Sequence, residues 1–87
     1  MKPFGPYVYP IAAEPDKVQM EWEFGDQSCS LEICLSTGVG EWHRVDVSKV
    51  DGDSEHRTLN LRDFSDLWWL GKEIRRLQQE ALSWEEQ

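Results

Sequence analysis

Residues 18–36, VQMEWEFGDQSCSLEICLS, decide the fold of this chain. On both sides of Gly25-Asp26, apolar residues alternate with polar ones, which is the pattern of β-strands with one solvated face. A two-residue loop at Gly25-Asp26 would set each apolar residue of one strand opposite an apolar residue of the other. The predicted hairpin therefore has one apolar inner face and one polar outer face, with pairs Trp22–Cys29, Met20–Leu31 and Val18–Ile33.

Two more strands are predicted after this hairpin, over about residues 39–47 and 55–61. A turn at Thr37-Gly38 would pair the first of them with the hairpin, and a polar turn at Asp51-Gly52 would join the two. The apolar residues of 39–47 change parity along the strand, so we expect a bulge near His43 or Arg44. The expected cross-strand pairs are Ile33–Trp42, Glu32–His43, His43–Asn60 and His56–Val47.

A helix capped by Asp63 or Ser65 is predicted to follow the strands. Its apolar residues recur at spacings of three and four, so one stripe should pack on the sheet. This stripe contains Leu67, Leu70, Ile74, Leu77 and Ala81. The predicted fold is α+β, with residues 18–87 forming a four-stranded antiparallel meander and one C-terminal helix on its inner face.

Residues 1–17 hold all four prolines and are predicted to be an extended arm. With Tyr7 and Tyr9, this arm is too apolar to be a solvated tail that contacts nothing. It should either pack on its own sheet, covering Trp69 or an edge strand, or dock on another protein or a second copy. Both alternatives stay open at the level of sequence.

Composition limits the classes of protein that the chain can be. Its 87 residues suit a single small domain, and 17 acidic against nine basic residues give a net charge of −8. Such a charge repels nucleic acid and anionic membranes and favours a basic partner. The sequence has neither a membrane-length apolar run nor the pattern of a signal peptide, so we expect a cytoplasmic protein.

No residues are predicted to be catalytic, to bind a metal or to hold a cofactor. Cys29 and Cys34 lie about 16 Å apart on opposite faces of one strand, too far for a disulfide. In the expected register His43 and His56 are also too far apart to share a metal ion. The sequence contains no serine at a recognisable nucleophile position and no glycine pattern that binds phosphate.

The adjacent residues Trp68 and Trp69 cannot both lie in the core stripe, since neighbouring helix positions differ by about 100°. We expect Trp69 to lie on the far side of the helix, beside Lys72 and Arg76. There it would either stack with a cation beneath the arm or serve as an interface anchor.

The predicted partner-binding residues are the carboxylates of the outer sheet face and three aromatic anchors, namely Glu21, Glu23, Glu32, Glu41, Trp69, Tyr7 and Tyr9. A flat, solvated sheet face gives carboxylates too little desolvation for catalysis. We expect a non-enzymatic binding protein that neutralises a basic, nucleic-acid-binding effector protein and does not itself bind nucleic acid. The alternative is a structural or regulatory homo-oligomer whose arm docks on a neighbouring subunit.

In size and charge the chain resembles the small acidic accessory proteins of phages and mobile elements. These include anti-CRISPR and anti-restriction inhibitors, antitoxins and immunity proteins. The resemblance rests on composition and includes no shared motif, but it implies the same class of function, inhibition of a protein partner.

Overall fold

The computed structural model describes residues 5–11, 13–49 and 53–85. They form five strands and one helix, which in chain order are β1 (Tyr7–Ile11), β2 (Glu14–Phe24), β3 (Gln27–Cys34), β4 (Val39–Asp46), β5 (Asp53–Asn60) and α1 (Phe64–Glu85). The strands make one antiparallel sheet in the order β1-β2-β3-β4-β5. The α+β class and the antiparallel meander are confirmed, but the described sheet has five strands rather than four.

The additional strand comes from the segment that was predicted to be an arm. β1 pairs with β2 from Tyr7 opposite Glu21 to Ile11 opposite Glu14, and the register shifts between Pro10 and Ile11. Because β1 is an edge strand, Pro10 can be part of it without removing a hydrogen bond that an interior strand would need. The arm therefore packs on its own sheet, at the edge formed by β2.

The first hairpin has the predicted register, with Val18 opposite Ile33 and Trp22 opposite Cys29. Gly25 has a φ of +61°, and it occupies the first position of the two-residue loop. Type II′ turns require this left-handed conformation at that position, and glycine adopts it without strain. The loop thus fixes the pairing of β3 with the part of β2 from Lys17 to Phe24.

The second hairpin differs from its predicted register by two residues. Ile33 lies opposite Gly40 and Glu32 opposite Glu41, because the loop between β3 and β4 has four residues, 35–38. A shift of two leaves every side chain on its predicted face, since strand side chains alternate. The predicted contact between Glu32 and His43 is wrong.

The third pairing differs from its predicted register by four residues, so that His43 lies opposite His56 and Val39 opposite Asn60. The predicted bulge near His43 is also wrong, because β4 pairs without interruption from Val39 to Asp46. Val45 is simply an exposed apolar residue of the outer face. The turn predicted at Asp51-Gly52 lies outside the described residues.

α1 packs on the inner face of the sheet, where it contacts β2 and β5. Asp63 caps its first turn as predicted: its backbone carbonyl accepts from Leu67 N at 3.1 Å and its carboxylate from Ser65 N at 2.9 Å. The fully enclosed Trp42 lies at the centre of the core. The other buried core residues are Trp22, Phe24, Cys29, Leu31, Leu59, Leu77 and Ala81.

The predicted helix stripe is confirmed at Leu77 and Ala81, which are buried, and at Leu70 and Ile74, which pack on the core. It is wrong at Leu67, which is 46% exposed. The core-facing side of the first turns is instead completed by Trp69, which was predicted to face away.

Candidate protein-binding face

The outer face of the sheet, on the side opposite α1, is built from cross-strand rows of polar side chains. One row runs across all five strands through Tyr7, Glu21, Ser30, His43 and His56. A second row runs through Tyr9, Gln19, Glu32, Glu41 and Thr58. The predicted carboxylates Glu21, Glu32 and Glu41 thus meet here, and Glu23 shares their face on β2.

Tyr7 and Tyr9 belong to the same face, because β1 aligns them with Glu21 and Gln19. A hydrogen bond from the Tyr9 hydroxyl to Glu21 raises the pKa of Tyr9 above its usual value. Glu21 also accepts from Gln19 Nε2 at 2.9 Å. The structure therefore brings six of the seven predicted partner-binding residues to one surface. A signal for β1 was present in the alternation of Tyr7, Val8 and Tyr9, but the flanking prolines obscured it.

The middle of this face carries two opposed glutamates, Glu32 on β3 and Glu41 on β4. Lys17 lies 3.2 Å from Glu32 and 3.4 Å from Glu14, and these two carboxylates raise the pKa of Lys17. Like charges directly across a ladder repel each other, so Lys17 offsets part of the repulsion at Glu32. A cationic group supplied by another molecule would offset more of it.

Glu41 is held by two neighbours on β5. Its carboxylate lies 2.7 Å from His56 Nε2 and accepts from the Thr58 hydroxyl at 3.0 Å. The hydrogen bond from Thr58, followed by that from His56, lowers the pKa of Glu41. The fixed carboxylate presents negative charge at a defined place on the face.

His43 and His56 are much closer than the sequence suggested, with ring centroids 4.4 Å apart. The prediction that they lie far apart is wrong, since the β4–β5 register places them directly opposite each other. Within the described part of the chain, however, no group of three or more His, Cys, Asp or Glu residues is arranged to hold a metal ion.

Trp69, the seventh predicted residue, lies on the opposite side of the sheet. Its ring contacts Trp42 edge-on, with centroids 6.3 Å apart, and the Arg57 guanidinium lies 4.2 Å above it. The expected cation–π contact exists, but its cation comes from β5 rather than from α1. Trp68 is the exposed member of the pair, at 62%. Trp69 therefore packs, half-buried, against the core and does not lie on the outer face.

A separate cleft of about 420 Å³ lies between the β2–β3 turn and the second half of α1. Its apolar lining comes from Phe24, Leu77 and Ala81, and its acidic lining includes Asp26 and Glu80. The lining also contains Ser48, whose hydroxyl donates to the Asp46 carboxylate at 2.6 Å.

Comparison with protein-family models, with curated proteins and with solved structures finds no match to this chain. Among the described helices, none is both long enough and apolar enough to cross a membrane.

Proposed function

We propose that the protein is a small, non-enzymatic binding protein that neutralises a basic effector protein through the outer face of its sheet. The supporting observation is the convergence of Glu21, Glu23, Glu32 and Glu41 with Tyr7 and Tyr9 on one surface. Carboxylates attract and orient a basic partner, while tyrosines supply apolar contact area and a hydrogen-bonding hydroxyl.

The geometry of the face suits a flat protein surface better than a small ligand. Five adjacent strands carry the rows, and neighbouring strands lie about 4.8 Å apart, so the face is about 20 Å wide. A nucleic-acid-binding surface carries lysine and arginine side chains that neutralise phosphates. A protein of net charge −8 with such a face could occupy that surface and exclude the nucleic acid.

The class of function proposed here is the one found among anti-CRISPR and anti-restriction inhibitors, antitoxins and immunity proteins. We further propose that the protein acts in the cytoplasm. The free thiols of Cys29 and Cys34 are compatible with a reducing compartment. The homo-oligomer alternative in which the arm docks on a neighbouring subunit loses support, because Tyr7–Ile11 pairs with the chain's own β2.

The test is a charge reversal with a control of equal charge. Affinity capture from the native host, followed by mass spectrometry, would first identify a basic partner for purification. The variant Glu21→Lys/Glu23→Lys changes the outer face, whereas Asp26→Lys/Glu80→Lys makes the same change in net charge at the cleft. Circular dichroism would establish that both variants are folded.

We expect the outer-face variant to bind the partner at least about tenfold more weakly, mainly through slower association, with a weaker dependence on salt. The control variant should keep most of the affinity. Equal losses in the two variants would show that net charge alone matters and would reject the outer face as the binding surface. Capture of only acidic or uncharged partners would reject the proposal itself.

A further inference from the structure

A stripe of exposed apolar residues runs along the side of α1 that faces away from the sheet. Phe64 is 79% exposed, Trp68 62% and Leu67 46%. Large aromatic residues are rarely left in water next to one another on a helix, and such patches mark interaction surfaces. Neither the core nor the proposed binding face uses these side chains.

Helical periodicity defines the stripe further. Phe64, Trp68, Gly71 and Arg75 follow one another at spacings of four, three and four residues, so they lie in one line along α1. This alternation of four and three is the seam of two helices packed side by side. α1 thus packs its main apolar stripe on the sheet. On its other side it carries a second, shorter seam that is apolar at Phe64 and Trp68.

Gly71 makes a notch in the middle of this seam. A β-carbon added at Gly71 would meet no atom of another element or side chain of the described chain within 4 Å. Glycine inside a helix costs about 1 kcal/mol relative to alanine. The chain's own packing does not require glycine at this position, whereas a bulky side chain of another molecule could use the space.

We propose that a second copy of this chain covers the seam, with the two α1 helices packed antiparallel. In an antiparallel pair whose twofold axis lies between positions 69 and 70, Trp68 of each copy faces Gly71 of the other. The same register places Arg75 of each copy over Phe64 of the other. Each large aromatic thus meets either the notch or a cation that can stack on its ring.

The charges on the seam favour a second copy over a basic or a nucleic-acid partner. Between positions 64 and 75 the seam and its flank carry Lys72 and Arg75 and no carboxylate. These cations would repel a basic protein, and the net charge of −8 opposes nucleic acid. A second copy carries the same cations, but its net charge is −8 and the proposed register places each Arg75 over Phe64 rather than over the other copy's cations.

The proposed contact is small, about three helical turns, or roughly 16 Å along each helix. Contacts of this size form weak dimers rather than permanent ones. We therefore expect a reversible dimer that leaves the outer sheet face of each copy free. The inference is independent of the proposed function.

The test is sedimentation equilibrium of the full chain from about 5 µM to about 1 mM, a range that brackets dissociation constants of small interfaces. Trp68→Ala should weaken dimerisation at least about tenfold. Gly71→Leu should stabilise the dilute monomer, because leucine is a better helix former, and yet weaken the dimer by filling the notch. Val47→Ala, which removes an exposed apolar side chain away from α1, is the matched control.

High salt should leave the apolar dimer intact or strengthen it, in contrast to a complex held by the acidic face. A chain that stays monomeric over the whole concentration range would overturn the proposal. So would a dimer that both Trp68→Ala and Gly71→Leu leave unchanged, since that dimer would use a different surface.

Discussion

At the scale of single residues, the two cysteines of β3 have opposite chemical properties. Burial raises the pKa of Cys29 to about 12, whereas hydrogen bonds from Ser36 and Thr37 lower the pKa of Cys34 to about 7. Cys34 Sγ lies 3.4 Å from Ser36 Oγ, in the loop that follows the strand. Because the thiolate is the reactive form, only Cys34 should react readily near neutral pH.

The prediction is that iodoacetamide labels one thiol of the folded protein, with a rate that rises through a midpoint near pH 7. Ser36→Ala should move this midpoint upward, because it removes the main hydrogen bond to the thiolate. Cys29 should react only after denaturation. Peptide mapping by mass spectrometry identifies the labelled residue, and rapid labelling of Cys29 in the folded chain would contradict the burial described here.

At the scale of the elements, the neighbours Trp68 and Trp69 form a natural pair of test positions on α1. Trp69→Ala removes contacts with Trp42 and the Arg57 cation, so we expect a loss of about 2 to 3 kcal/mol of unfolding free energy. Trp68→Ala should change the dilute monomer by less than about 0.5 kcal/mol. Urea denaturation of both variants provides the measurement, and the reverse ranking would mean that α1 is rotated on the sheet.

Periodicity predicted most of this helix but selected the wrong member of the pair Trp68 and Trp69 as the exposed one. Both are large and apolar, and they lie on either side of the boundary of the stripe. The choice depends on Trp42 and Arg57, which reach Trp69 from other strands. A pattern confined to one element contains no information about such partners.

Strand registers were predictable only where the loop was unambiguous. Gly25-Asp26 fixes the first hairpin, but the β3–β4 loop begins at Leu35, whose apolar character resembles that of a strand residue. The errors of two residues in the β3–β4 pairing and of four residues in the β4–β5 pairing are even numbers, so the predicted inner and outer faces are unchanged. For this reason the grouping of the four glutamates was predictable, whereas the contact between His43 and His56 was not.

At the scale of the whole molecule, several carboxylates make stability depend on pH. Hydrogen bonds from Thr58 and His56 lower the pKa of Glu41, and those from Ser48 and Ser65 lower the pKa values of Asp46 and Asp63. The unfolded chain therefore binds protons at higher pH than the folded one. This stabilisation is complete above the ordinary carboxyl values of about 4 and is lost as the pH falls through the lowered values.

We expect the free energy of unfolding to decrease below about pH 4, and Glu41→Gln to make that decrease shallower. Thr58→Val should have a similar effect on the slope, because it removes the main hydrogen-bond donor to Glu41 and leaves the carboxylate in place. Urea melts at a series of pH values measure the slope. A slope identical to that of the parent protein in both variants would contradict the role assigned to this hydrogen bond.

The strand order β1-β2-β3-β4-β5 has a consequence for how the chain reaches its structure. Every strand pairs with its neighbour in sequence, so no long loop has to close before a ladder can form, and folding should be fast for a β-rich domain. During synthesis each hairpin can form as soon as its second strand has been made. The side chains of Trp22 and Trp42, however, are covered only when α1 packs on the sheet. Because α1 follows all five strands in the chain, a ribosome-bound chain exposes this apolar surface until the helix has been synthesised.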